Sequence, residues 1–474
     1  MRPVLIRLSL LFVVLSALVS CSGSGGGDVG TLSGGPVGNG SGSGGSGAAG
    51  TWIWKGGSTI SDQTGTYGTQ GVPASGNVPG GRVEAVSWLD GSGNFWLFGG
   101  DGFSSTSGLA ASFLNDLWKF DGTSWTWVKG SIFTQATGTY GVKGTAAAAN
   151  TPGARSGAAS WSVGSDLWLF GGFGFGSSGS SGSLNDLWKF DGTSWTWMNG
   201  AFVTNQTGTY GTKGLADPAN IPGARFRAAT VIDGSIVWLF GGRGYDGTGV
   251  FGDLNDLWKF DGTNWTWVSG SNTSDQSGSY GAKGIPNSAN MPGGRESAVL
   301  WIDGGGNLWL FGGTGRDSTS GSGGYLNDLW KFNGTTWIWV SGATIVNQLG
   351  IYGTQGVAAT GNAPGSRNPA ASWIDLSNNL WLFGGFGYDS VSLGDMNDLW
   401  KFDGKNWTWE AGAKVLETFG IYGSKNVAAA TNYPGSRDSA TSAVGGSHTI
   451  WMFGGMGNGS GTTGRLNDLW LHQP

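Results

Sequence analysis

Residues 114–127 read Leu-Asn-Asp-Leu-Trp-Lys-Phe-Asp-Gly-Thr-Ser-Trp-Thr-Trp, and the chain returns to this phrase again and again. Leu-Asn-Asp-Leu-Trp begins at Leu114, Leu184, Leu254, Leu326 and Leu466, with Met396 opening a sixth copy. Working outward, Phe-Gly-Gly begins at Phe98, Phe170, Phe240, Phe311, Phe383 and Phe453, and Pro-Gly-x-Arg ends at Arg82, Arg155, Arg225, Arg295, Arg367 and Arg437. Each series has six members 70 to 73 residues apart. Self-similarity at a fixed period is the mark of a repeat architecture, because each unit needs its neighbours to bury its apolar face.

Each unit reads as four short strands. In the first unit these are Glu84–Leu89, Phe95–Phe98, Leu117–Phe120 and Trp125–Val128. Aromatic and β-branched runs of this length, bounded by Gly and Asp, favour a pleated, half-buried surface. Asp121-Gly122 between the third and fourth strands predicts a tight hairpin, since both residues tolerate positive φ, and it recurs at Asp191-Gly192, Asp261-Gly262, Asn333-Gly334 and Asp403-Gly404. Four antiparallel strands repeated six times predict an all-β, six-bladed β-propeller over residues 51–474.

The two ends of this region predict how the ring closes. Trp-x-Trp follows the third strand at Trp125, Trp195, Trp265, Trp337 and Trp407, but the last unit stops at Leu471-His472-Gln473-Pro474 without one. The sixth copy, Trp52-Ile53-Trp54, lies at the other end of the region. An N-terminal strand completing the last blade would close the ring and remove exposed strand edges, the usual liability of an open sheet.

Gly99-Gly100, and Phe120-Asp121 followed by Trp125, resemble the double glycine and the Tyr-Asp…Trp of the kelch family. The resemblance covers about residues 51–474 and implies a kelch propeller similar to that of galactose oxidase. Phe stands for the usual Tyr, and each unit is longer than the roughly 50 residues of a kelch repeat. The excess lies between the fourth strand and the next Arg, as in Lys129 to Asn150, and carries Gly-x-Tyr-Gly six times, at Tyr67, Tyr140, Tyr210, Tyr280, Tyr352 and Tyr422. Such regularity predicts an ordered, packed element, since a structureless loop of this length inside a domain is suspect.

The N-terminus predicts an envelope protein. Arg2 and Arg7 precede an apolar run from Leu8 to Val19, too short to span a bilayer comfortably, so residues 1–20 read as a signal peptide. Leu18-Val19-Ser20-Cys21 resembles the bacterial lipobox, which implies lipidation at Cys21. Residues 21–50 are almost wholly Gly and Ser and read as a flexible tether with a reach of about 30 Å. Ser22 after the Cys carries no Asp retention signal, so the expectation is an outer-membrane lipoprotein, periplasmic or surface-exposed.

Composition narrows the chemistry. The formal charge is −5, and without basic clusters the chain is a poor partner for nucleic acid or anionic lipid headgroups. Of the 28 Trp, twelve lie in Trp-x-Trp, six in Asn-Asp-Leu-Trp, six in second strands and four at one first-strand position, so every one occupies a repeated packing slot. The resemblance to galactose oxidase brings in copper held by His and Tyr, with a Tyr joined to a Cys. Here the single Cys is Cys21, and the two His, His448 and His472, read as surface residues. No cofactor or metal is expected. Asp116 and its equivalents, beside an Asn in a strand, read as backbone caps and not as calcium ligands. No nucleophile elbow, P-loop or zinc-protease motif occurs.

The second-to-third and fourth-to-first connections share one face of a propeller, and both are long. The second-to-third loops vary most between units, and binding residues concentrate on such loops. The chain therefore reads as a monomeric binding or scaffold module for a protein or glycan partner. The alternative is an axis-centred enzyme on sugars, resembling the kelch-type sialic acid epimerases. Arg82, Arg155, Arg225, Arg295, Arg367 and Arg437, each before an innermost strand, are the candidate binding residues, circling the channel mouth either toward a ligand or as scaffold.

Overall fold

The computed structural model describes residues 50–473, apart from 106–109, 320, 322 and 370. The signal peptide, Cys21 and the tether up to residue 49 lie outside the described residues. The protein is a β-propeller: antiparallel sheets repeat along the chain, and the one helical turn among the described residues is the 3-10 turn Gly446–His448.

The first unit sets the pattern. Its inner strand is split into Arg82–Val83 and Val86–Leu89; then come Phe95–Gly102, Ser112–Phe120 and Trp125–Lys129. The second and third strands are longer than their apolar cores suggest. They continue past Gly99-Gly100, where the register against Leu114 and Leu117 shifts by a bulge. The double glycine is needed there: Gly99 and Gly100 take φ of 65° and 97°. A Cβ on Gly99 would also stand 2.8 Å from the Arg155 carbonyl of the next unit. In the fourth unit the hydrogen-bonded sheet divides in two, Arg295–Glu296 with Thr314–Gly315 and Gly324–Tyr325, and Val299–Ile302 with the remainder. Six units thus give seven sheets.

Packing runs between units. One apolar cluster joins Trp88, Phe98 and Leu117 to Leu167, Leu169, Trp188 and Trp195 of the next unit. Four more clusters repeat this join along the chain, and a sixth returns from Ala443, Phe453 and Leu469 to Phe95, Trp118 and Trp125. The inner strands touch in the same cyclic order. No Trp is among the exposed side chains. Each buried aromatic removes about 150–250 Å² from water, roughly 4–6 kcal/mol before entropy is counted.

Thr51–Gly56 pairs antiparallel with Thr463–Gln473, Trp52 opposite His472 and Trp54 opposite Trp470. This strand stands where Trp125–Lys129 stands in the first unit. Its first residue faces Gln473 at the short-turn end of the sheet.

The Gly-x-Tyr-Gly inserts are ordered. In the insert before the first unit, Thr66 bridges Val78, Gly71 N–H donates to the Trp127 carbonyl, and Asn77 Nδ2 donates to the Trp125 carbonyl at 3.0 Å. The insert therefore covers the outer strand, whose backbone would otherwise be an open edge.

Candidate functional site

The six repeated arginines are placed first, because their environment decides whether they can meet a ligand. Arg82 donates through Nη1 and Nη2 to both carboxylate oxygens of Asp116 at 2.7 and 2.8 Å, through Nη1 to the Gly99 carbonyl, and through Nε to the Gly80 carbonyl. Asp116 also accepts from Tyr67 Oη at 2.6 Å and Trp118 Nε1 at 2.7 Å. The same four-residue cluster recurs with Arg155–Asp186, Arg225–Asp256, Arg295–Asp328, Arg367–Asp398 and Arg437–Asp468. All six arginines are at most 1 % exposed.

Of the two roles open to these arginines, ligand and scaffold, the described contacts are those of scaffold: six buried locks. The Arg stands inside the inner strand, opposite a glycine such as Gly102, and its donors are taken up within the fold. Burial alone would lower the Arg82 pKa, but the Asp116 charge and hydrogen bonds outweigh it, so the guanidinium stays charged. Burial first, then Asp116, raises the Tyr67 hydroxyl pKa well above its ordinary value, so it remains a donor. The locks also revise the role of Asp116 and its equivalents, which receive side chains and do not cap backbone. They explain the inserts too: the Tyr pins each insert to the sheet it covers. Sequence reasoning missed the cluster although Tyr, Arg and Asp recur in step, because nothing local says that an Arg 31 to 34 residues away and a Tyr 46 to 49 residues away share one carboxylate.

The histidines need a second correction. His472 is buried, 1 % exposed, with its ring 4.7 Å from Trp52 and 5.2 Å from Trp373. It occupies the slot that Phe120 and its equivalents fill, so the strand pairing buries it. His448 Nδ1 lies 2.7 Å from the Ile374 carbonyl and is half-buried.

One residue beyond each Arg the sequence stops repeating, and here the structure gathers the differences. Opposite residues on the first three strands form one row per unit: Val83–Asp101–Phe113 and Ser156–Phe173–Ser183 in the first two. Phe226–Arg243–Asp253 and Glu296–Thr314–Tyr325 follow. Asn368–Phe386–Asp395 and Asp438–Met456–Arg465 complete the set. Directly opposed residues share a face, and neighbouring rows touch. Arg465 reaches Asp101 at 2.8 Å, Phe113 packs on Phe173 at 5.7 Å, Phe173 on Phe226 at 5.5 Å, and Tyr325 on Phe386 at 5.7 Å. This variable layer lies at the long-loop end, between the Arg–Gly pairs and the double-glycine bulge. Asp253, which pairs with Arg243 at 3.2 Å, has its pKa pushed up to about 6, chiefly by burial and partly by Glu296 and Asp275.

At the axis, Glu84, Arg227, Ser297 and Ser439 interrupt the inner strands with φ between 52° and 54°. Their backbones bond from unit to unit: Gly157 N–H to Glu84 O, Arg227 N–H to Gly157 O, Ser297 N–H to Arg227 O and Glu84 N–H to Ser439 O. Arg227 crosses to Glu84 and also reaches Glu296 at 3.2 Å. Gly157 makes room for it, because a Cβ there would stand 3.1 Å from Arg227 Cγ. A depression of about 160 Å³ lies at this point, lined by residues of all six units. Arg227, with its side chain 37 % exposed, is an accessible cation at this depression. Among the described residues no three His, Cys, Asp or Glu converge as a metal site.

Fold and site together define a β-propeller that carries a variable polar and aromatic layer on an invariant frame. No family model matches the chain, and no curated protein does. Among solved structures, that of YjhT is similar at 15 % identity, covering 85 % of this chain and 96 % of the other, with a TM-score of 0.46.

Proposed function

We propose that the chain is an envelope-anchored kelch-type propeller of six blades that binds a protein or glycan partner through its long-loop face. The observation that carries this reading is the variable layer. Identity changes from unit to unit at one level of the sheets, while the Arg–Asp–Tyr locks directly beside it stay the same. Sites of this kind are loops and rims held by a rigid scaffold. The aromatic and guanidinium groups around Phe226, Arg243 and Phe251 are of the type that dominates binding energy, and Arg243 lies over Phe251 at 5.5 Å. The position of Thr51 supports an outward-facing site: the strand next to the proposed tether begins at the short-turn end, opposite the long loops.

A screen of glycans and envelope proteins against the full chain tests this. Phe251→Ala, at a residue 40 % exposed, should weaken any partner found by about tenfold or more and leave the melting temperature unchanged. Unchanged affinity would remove this sector from the site. Cys21→Ser should move the protein from the membrane to the soluble fraction, or leave it unprocessed; a wild type that takes up no palmitate analogue refutes the anchor.

The Arg227–Glu84–Glu296 group favours a second reading, an axial site acting on sugars. That reading predicts conversion of a sugar by the full chain, abolished by Arg227→Ala.

A further inference from the structure

A groove of about 440 Å³ runs along the outside of the molecule where the N-terminal strand meets the first unit. Its walls include Lys55, Lys425, Thr64, Thr66, Ser75 and Asn77, and no Asp or Glu is among its lining residues. In three other units the lysine equivalent to Lys425 rests on an outer-strand Trp: Lys143 on Trp197 at 5.7 Å, Lys213 on Trp267 at 4.2 Å, and Lys283 on Trp339 at 5.6 Å. Beside those tryptophans stand Met198, Val268 and Val340, all apolar. In the sixth unit both features change. The residue after Trp54 is Lys55, and Lys425 makes no such contact with the Trp54 ring among the described residues. Lys425 Nζ instead stands 3.9 Å from where a Gly56 Cβ would be.

Two lysines thus line one polar groove, near enough for the charge of Lys425 to bear on Lys55. Neither has a carboxylate, carbonyl or aromatic partner among the described residues. Burial, and then the charge of Lys425, lowers the pKa of half-buried Lys55. Like charges lining one groove in an acidic protein, without an internal counter-charge, are stabilised by an anion from outside.

We propose that this groove binds a phosphate-type oxyanion, with Lys55 and Lys425 as its counter-charges and the hydroxyls of Thr64, Thr66 and Ser75 as donors. Such a group could arrive as free phosphate or as a lipid headgroup, and the chemistry of recognition is the same for both. This site is separate from the variable layer and stands or falls independently of it.

Amine-reactive labelling of the full chain, read by mass spectrometry at each lysine, tests the site. One arm adds inorganic phosphate against chloride at equal ionic strength. The other places the chain in phosphatidylcholine vesicles with or without phosphatidylglycerol. Lys55 and Lys425 should be protected several-fold, while Lys405, on an exposed turn, should not. Protection by phosphate supports a free anion, and protection only with phosphatidylglycerol supports a headgroup. Lys55→Met, which installs the residue found at 198, should abolish the protection of Lys425. No protection in either arm, equal protection of Lys405, or unchanged protection of Lys425 in Lys55→Met would overturn the proposal.

Discussion

Replacing Asp256 with Ala is expected to destabilise the protein by about 3–5 kcal/mol, the cost of leaving one partner of a buried ion pair alone. Arg225 would keep its charge at 1 % exposure with two of its hydrogen bonds gone. Tyr210 Oη and Trp258 Nε1 would lose their acceptor as well, at 2.6 and 2.7 Å in the intact lock. Each stranded donor adds roughly 1–3 kcal/mol unless water enters. The insert carrying Tyr210 would also come loose from the outer strand Trp265–Ser269, so limited proteolysis should cut between residues 201 and 222 before the sheets open. Denaturant melts of Asp256→Ala beside Arg225→Met/Asp256→Leu separate the causes. Removing both charges should recover much of the loss, because the penalty lies in the unpaired guanidinium. A single variant that melts with the wild type would mean that water or a neighbouring acceptor replaces the carboxylate, and that the lock does not hold the insert and strands of its unit.

This cluster also marks how far the sequence can be read. The repeats, the all-β class and the four strands per unit were legible because strand signals are local: apolar alternation, Asp-Gly turns and paired glycines act within a few residues. Strand ends were less legible. Ser112 and Phe113 look like loop, yet they pair with Gly102 and Asp101 because the bulge at Gly99-Gly100 lets the hairpin continue. The arginines were found but left between ligand and scaffold, since whether a guanidinium faces solvent or an aspartate depends on a partner in another strand. His472 looked like a terminal surface residue; pairing of Thr463–Gln473 with Thr51–Gly56 places it between two indoles. The variable layer was legible only in part, as second-to-third connections that differ between units. Its residues are scattered across three strands and become one surface only when the register is known.

Removing residues 51–56 should cost the most of any small change, because it deletes a whole strand and bares the edge of the strand it pairs with. Trp52 is 2 % exposed and packs against Phe383, Trp470 and His472, with ring centroids 5.1, 6.4 and 4.7 Å away. Truncating a buried Trp of this kind costs about 3–5 kcal/mol by itself. The last insert would lose its support too, since Asn426 N–H donates to the Trp54 carbonyl and Trp54 stacks edge-on to Tyr422 at 5.5 Å. Tyr422 in turn belongs to the Arg437–Asp468 lock, so damage to the edge reaches the inner strand through one phenol. A chain beginning at residue 57 should therefore melt well below the full chain and associate through the bare edge of Thr463–Gln473. Adding a peptide of residues 50–57 should restore part of the loss, and by mass action the recovery should grow with peptide concentration. Trp52→Ala gives the packing share alone, and the difference between it and the deletion measures what strand pairing contributes. If the shortened chain melts with the full one and stays monomeric, the N-terminal strand is an accessory to the last sheet and the ring holds without it.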